Sequence, residues 1–148
     1  MAINFYKGNL LEAKERYIVH QVNCRGVMGS GIAKQIKEKW PIVYEKYLEK
    51  CKQDSKLLGS VLPVSTDDGK IICNIFGQKN YGYGRQTNYL ALIGGLCKVF
   101  ENAKSDVAIP ANLGCGRGGA NWIKIFNFIQ TISEDFEYDI NIYHYNED

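Results

Sequence analysis

Two glycine clusters lie where a predicted strand gives way to a predicted helix, and both could bind phosphate. The first runs from Gly26 to Gly31 and the second from Gly114 to Gly119. Glycine has no Cβ, so a phosphate can approach its backbone closely, and a following helix adds unpaired N–H groups and the positive end of its dipole. If both clusters meet at one edge of a sheet, they suit a diphosphate group.

Three further side chains near these clusters could take part in chemistry. His20 lies on the predicted strand before the first cluster, where an imidazole could act as nucleophile or proton donor toward a phosphate, or simply pack within the strand. Cys115 precedes a predicted helix, which can lower a thiol pKa, but we favour the interpretation that a small side chain is needed there for close phosphate approach. Arg117 could add positive charge to the diphosphate contact or point outward.

Other phosphate-binding classes fit the second cluster less well. Gly114 to Gly119 matches G-x-G-x-x-G, but the acidic residue expected about twenty positions later would be Asp139, which begins a predicted strand instead of ending one. No Walker-type G-x-x-x-x-G-K-[ST] occurs, and Asn121 stands where a cysteine phosphatase needs arginine. These three classes are therefore disfavoured.

The elements that would position these residues alternate between strands and helices. Strand patterns cover residues 3–6, 17–22, 59–64, 70–76, 106–109 and 139–145, and helix patterns cover residues 32–40, 41–53, 88–102 and 121–134. Pro41 separates the first two helices, and a turn at residues 66–69 joins two strands as a hairpin. The sequence predicts a three-layer α/β fold, with a mixed, mainly parallel central sheet and helices on both faces.

Length and composition predict one compact domain over residues 1–148, because 45% of the residues are hydrophobic and 23% are charged. The lysines between Lys34 and Lys56 alternate with glutamates as on a solvated helix surface, which disfavours nucleic-acid binding. The five cysteines are widely spaced and fit neither disulfides nor zinc, and no signal segment or long apolar run occurs. We expect a soluble cytoplasmic protein with no membrane partner, metal or cofactor.

Five segments occur in the order found in macrodomains, a family that binds ADP-ribose. They are Lys7–Leu10, Val19–Cys24, Gly26–Ala33, Trp40–Pro41 and Ile109–Gly116. The sequence resembles the branch that contains the fungal ADP-ribose 1″-phosphate phosphatase and the terminal ADP-ribose protein glycohydrolase. This resemblance implies the macrodomain fold and ADP-ribose, or its 1″-phosphate, as the ligand.

The resemblance also implies which residues contact each part of ADP-ribose. Asn9, where macrodomains often carry aspartate, would lie at the adenine end with Leu10, and Tyr143 would lie near the adenine face or be a plain sheet residue. The residues implied for the distal ribose are Asn23, Gly29, Ser30, Gly31 and Ile32. Those implied for the diphosphate and its surroundings are Leu113, Gly114, Cys115, Gly116, Arg117 and Gly118.

The departures from the family pattern discriminate between activities. Phosphatase-like relatives place a histidine at His20, so the resemblance implies that this residue is catalytic. The glycohydrolase of this branch uses a lysine and an aspartate, for which this chain has Gly77 or Gln78, with Lys79 one residue further, and Gly118. We therefore predict a metal-independent ADP-ribose 1″-phosphate phosphatase. The alternatives are a binding module without turnover and an ADP-ribosyl hydrolase acting on modified protein or nucleic acid.

Overall fold

The computed structural model describes residues 2–145. Within that range the strands are β1 (Ile3–Lys7), β2 (Tyr17–Asn23), β3 (Val61–Ser65), β4 (Ile71–Gln78), β5 (Val107–Pro110) and β6 (Ile140–His144). The helices are α1 (Gly31–Lys39), α2 (Pro41–Gln53), α3 (Tyr89–Asn102) and α4 (Trp122–Ser133), with a 3-10 helix at Leu10–Glu12. No helix in this part of the chain is both long and apolar enough to span a membrane.

Every predicted strand and helix is present, and the ends differ from the prediction by no more than two residues. The start of β3 moves to Val61 because Gly59 has a φ of 89°, which belongs to a turn and not to extended backbone. The 3-10 helix was not predicted. It begins after Asn9, whose side-chain oxygen accepts a hydrogen bond from the Leu11 N–H at 3.0 Å and so caps it.

All six strands form one sheet in the order β1-β6-β5-β2-β4-β3. Neighbouring strands are parallel except for β3, which pairs antiparallel with β4 through the predicted hairpin turn. The prediction of a mixed, mainly parallel sheet is confirmed.

Alternate residues of the central strands pack into two hydrophobic cores on opposite faces of the sheet. On β2, Ile18 and Val22 join the core beneath α1 and α2, whereas Val19 joins the core beneath α3 and α4. A strand covered on both faces needs apolar side chains in both directions, which explains the consecutive apolar residues Tyr17, Ile18 and Val19 at the start of β2. The three-layer α/β architecture is therefore confirmed.

The topology places a crevice between β2 and β5. These strands are parallel neighbours at the centre of the sheet, so their carboxyl ends lie at the same edge. The chain leaves β2 for α1 on one face and leaves β5 for α4 on the other. Connections that diverge in this way open a cleft where ligands of α/β sheets bind.

Candidate functional site

A cleft of about 600 Å³ lies at this carboxyl edge, within the size range of small-molecule sites. It lies between loop 1 (residues 24–30, after β2) and loop 2 (residues 111–121, after β5). The structure thus brings the two glycine clusters to one cavity. The predicted site residues that line it are His20, Asn23, Gly29, Ser30, Gly31, Ile32, Leu113, Gly114, Gly116, Arg117 and Gly118.

Asn23, at the end of β2, fixes the shape of loop 1. Its Nδ2 donates to the Val27 carbonyl at 2.8 Å, and its Oδ1 accepts from the Arg25 N–H at 2.9 Å. The Tyr47 hydroxyl donates to the Asn23 carbonyl and Oδ1, at 2.7 and 2.8 Å, and burial raises the pKa of Tyr47 so that it stays a donor. Sequence analysis missed Tyr47, although its helical spacing from Val43 marks it as a buried residue of α2.

The amino end of α1 offers unpaired donors to the cleft. Gly31 begins the helix with a φ of 59°, and the Ser30 side chain makes no capping hydrogen bond. Within residues 2–145, the N–H groups of Gly31, Ile32 and Ala33 have no acceptor, and all three residues line the cleft. Such a helix end can bind an anion.

Loop 2 offers donors of a different kind. Asn121 caps α4 itself, because its Oδ1 accepts from the N–H groups of Ile123 at 2.9 Å and Lys124 at 3.4 Å. The free donors come instead from the loop, where the N–H groups of residues 116–118 have no acceptor in the described part of the chain. The two glycine clusters are therefore not equivalent. The first leads into the uncapped amino end of α1, whereas the second is a backbone loop that leads into a helix already capped by Asn121.

A polar support holds loop 2 from below. The Gln21 Nε2 donates to Thr87 Oγ1 at 2.8 Å, and the Thr87 hydroxyl donates to the Gly114 carbonyl at 2.8 Å. The Thr87 N–H also donates to the Gly118 carbonyl at 2.9 Å. A Cβ at Gly118 would lie 2.2 Å from Thr87 Oγ1, so this position has no room for an aspartate or any other side chain.

His20 forms part of the cleft wall, with only 2% of its surface exposed. Its Nε2 lies 2.5 Å from Asn74 Oδ1, and its Nδ1 is buried without a partner among residues 2–145. Burial lowers the pKa of His20 to about 4, although the hydrogen bond to Asn74 opposes the shift. The imidazole is therefore uncharged at neutral pH, which suits a nucleophile and not a proton donor.

The cleft favours an anionic ligand. Among the described residues that line it, Arg117 is the one charged side chain, and there is no carboxylate and no lysine. Gln78 lines the cleft at the end of β4, whereas Lys79, the next residue, is exposed and does not line it. Nowhere in residues 2–145 do three His, Cys, Asp or Glu side chains group in a way that could hold a metal ion.

The residues implied for the adenine end do not line this cleft. Asn9 caps the 3-10 helix, and Leu10 is buried in the core with 4% exposure. The Tyr143 hydroxyl donates to Glu15 Oε1 at 2.6 Å, and its ring stacks on Tyr6. The adenine contacts therefore stay predictions.

Cys115 also does not line the cleft. Its thiol donates to the Leu113 carbonyl at 3.4 Å, and burial raises its pKa. Because a thiolate is the reactive form, this environment gives no sign of an activated cysteine.

The structure adds residues to the cleft that sequence analysis missed. Tyr81 and Gly82 come from the β4–α3 segment (residues 79–88), which lies between a predicted strand and a predicted helix. Asn112 is a non-glycine residue with a φ of 62°, which asparagine tolerates better than most residue types. The remaining additions are Gln21, Val22, Val27, Ala33, Gln78 and Ala111.

The fold and the sequence are similar to those of known proteins. The model of the Macro domain family matches residues 19–127. The chain is 34% identical over 125 residues to the DNA ADP-ribosyl glycohydrolase of Mycobacterium tuberculosis, covering 81% of this chain and 35% of that protein. It is 35% identical over 112 residues to the ADP-ribose 1″-phosphate phosphatase of Saccharomyces cerevisiae, covering 69% and 63%.

A solved structure with the same fold is the macrodomain of Thermus aquaticus DarG, with a TM-score of 0.82 and 29% identity over 95% of this chain and 97% of that one. The chain spans about a third of the length of the M. tuberculosis glycohydrolase. The similarity to that protein therefore concerns a domain of it.

Proposed function

The chain belongs to the Macro domain family, and we propose that it binds ADP-ribose derivatives and hydrolyses ADP-ribose 1″-phosphate to ADP-ribose and phosphate. Both relatives described above are named for reactions on an ADP-ribosyl group. The observation that carries the choice of reaction is the lining of the cleft: among the described residues that form it, His20 is the one imidazole, and there is no carboxylate and no lysine.

The two loops suit the diphosphate of this substrate. The N–H groups at the start of α1 and those of residues 116–118 have no acceptor within residues 2–145 and belong to residues that line the cleft, where Arg117 adds a positive charge. Backbone N–H groups bind phosphate oxygens without an opposing carboxylate to repel them. The distal ribose, and the phosphate on its anomeric carbon, would then lie toward Asn23 and His20.

His20 would attack the phosphorus atom through Nδ1. The bond from phosphorus to the anomeric oxygen breaks, this oxygen takes a proton from water, and the hydroxide that remains attacks the phosphohistidine, which releases phosphate and restores the neutral imidazole. Since 2% of His20 is exposed, the substrate must displace part of the cleft wall to reach Nδ1.

Phosphorus NMR of ADP-ribose 1″-phosphate mixed with the purified protein tests this proposal. We expect the wild type to release inorganic phosphate and His20→Gln to slow the release by about 100-fold or more, because the nucleophile is lost. His144→Gln is the matched control, since His144 is the other of two histidines and lies exposed on β6. Equal rates for His20→Gln and wild type would refute the catalytic role.

A second candidate is hydrolysis of ADP-ribose from DNA, the reaction for which the M. tuberculosis relative is named. Near the cleft, Arg25, Lys79 and Arg85 are exposed and form no salt bridge within residues 2–145, and the Tyr83 side chain is fully exposed. Exposed cations without a carboxylate partner, next to an exposed aromatic ring, suit single-stranded nucleic acid. The absence of a lysine or carboxylate in the cleft weighs against this reaction.

An ADP-ribosylated single-stranded oligonucleotide, incubated with the same protein preparation, separates the candidates. We expect no release of ADP-ribose under conditions where phosphate release is complete. The opposite pattern favours the glycohydrolase. Tight ADP-ribose binding by calorimetry with neither reaction favours a binding module.

A further inference from the structure

Asn74 lies beside His20 on the neighbouring strand and is fully buried. The two residues are partners in the parallel pairing of β2 with β4. The Asn74 Nδ2 donates to the carbonyls of Leu62 at 2.9 Å and Ile72 at 3.2 Å. Because a carbonyl can only accept, these two bonds assign the nitrogen of the amide and leave Oδ1 facing His20.

The orientation of this amide determines which imidazole nitrogen carries the proton. Oδ1 is an acceptor, so the 2.5 Å contact requires the proton on Nε2 of His20. In a neutral imidazole Nδ1 then carries the lone pair, and this atom has no partner among residues 2–145. We propose that Asn74 is a positioning residue that holds the His20 proton on Nε2 and so keeps Nδ1 as the acceptor presented to the substrate. The identity of the substrate rests on the proposed function, whereas the tautomer of His20 is independent of it.

No charged group competes with Asn74 for His20 in the described part of the chain. From α2, the Tyr47 hydroxyl bonds to Asn23, and from β6, the Tyr143 hydroxyl bonds to Glu15. Neither exchanges a hydrogen bond with His20, whose pKa is set by burial and by Asn74. A change in the charge of residue 74 should therefore appear directly in the titration of His20.

Nitrogen NMR of the wild-type protein tests the tautomer without any assay of activity. With two histidines in the chain, His144→Gln assigns the His20 signals by difference. At pH 7 we expect the long-range proton–nitrogen pattern of a neutral ring with hydrogen on Nε2 and a pyridine-like Nδ1. A proton on Nδ1 would overturn the proposal.

Asn74→Asp tests the consequence for catalysis, because it keeps the shape of the side chain and sets a carboxylate against Nε2 of His20, although it also removes the two hydrogen bonds that Nδ2 donates to the Leu62 and Ile72 carbonyls. We expect the pKa of His20 to rise by about 1 to 3 units, and the acid limb of phosphate release against pH to move up by the same amount. A folded variant whose carboxyl at residue 74 is ionised, as its carbon NMR shift reports, and in which neither moves contradicts the proposal. If the variant does not fold, or if this carboxyl stays protonated, the wild-type tautomer still decides.

The two proposals fail in different ways. A wild type with the proton on Nε2 that releases no phosphate would refute the proposed function and leave the effect of Asn74 on the tautomer intact. A wild-type protein that releases phosphate but carries the proton on Nδ1 would refute the effect of Asn74 on the tautomer and leave the proposed function intact.

Discussion

Gly116 and Gly118 are only two residues apart in loop 2, yet the space around them differs completely. A Cβ at Gly116 would meet nothing within 4 Å, whereas a Cβ at Gly118 would lie 2.2 Å from Thr87 Oγ1 and 2.5 Å from the Gly114 carbonyl oxygen. The first glycine leaves room for a ligand, and the second allows the loop to pack on its support. These two requirements can be separated by mutation.

Gly118→Ala should lower the free energy of unfolding by about 1 to 3 kcal/mol, because the new methyl group overlaps a backbone carbonyl that cannot rotate away. Gly116→Ala should change that free energy by less than about 0.5 kcal/mol but weaken ADP-ribose binding about tenfold, because its methyl group occupies cleft space. Urea denaturation and calorimetry measure the two effects. A Gly118→Ala protein as stable as wild type, or a Gly116→Ala protein with unchanged affinity, would contradict this assignment.

At this scale the sequence predicted residue types better than their hydrogen-bond partners. His20 and the glycines of both clusters could be singled out because strand, glycine and helix follow one another along the chain. Asn74 could not, since its relation to His20 depends on the register of β2 with β4. The support formed by Gln21 and Thr87 was invisible for the same reason, because it joins segments 66 residues apart.

Within the elements, α3 shows why a helix can contain two adjacent glycines. Gly95 packs against β4, where a Cβ would lie 2.3 Å from Ile75 Cγ2. Gly94 has nothing within 4 Å of its Cβ position. Close packing therefore requires one glycine, whereas the other only weakens the helix.

Gly94→Ala should raise the free energy of unfolding by about 1 kcal/mol, the difference in helix propensity. Gly95→Ala should lower it by about 1 to 3 kcal/mol, because the methyl group of Ile75 cannot move without shifting β4. The midpoints of urea unfolding measured for the two variants provide the comparison. Equal effects of the two substitutions would show that α3 does not pack on β4 as described.

The extent of each element was largely predictable because hydrophobic periodicity is a local property of the chain. The buried residues of α3, among them Leu92 and Leu96, follow the helical spacing from which this helix was predicted. The helix ends were less informative: glycines precede both α1 and α4, but Asn121 caps α4 and no side chain caps α1. That difference depends on side-chain orientation, which the residue pattern does not specify.

For the whole molecule, the sequence predicted a mixed sheet covered on both faces but not the order of its strands. The cleft exists because β5 inserts beside β2, which brings together two loops about 90 residues apart in the chain. The modest net charge of +2 did not identify the ligand, because the relevant charge is local. The cleft has one arginine among uncharged described residues, together with N–H groups that have no acceptor there, and this combination suits an anion.

A crystal structure of the protein with ADP-ribose is the most direct test of this account. We expect the diphosphate to lie between the start of α1 at Gly31 and residues 116–118 of loop 2, accepting hydrogen bonds from their N–H groups, with the distal ribose toward Asn23 and His20. A nucleotide bound elsewhere, such as at the opposite edge of the sheet beside Lys14 and Arg16, would contradict the account.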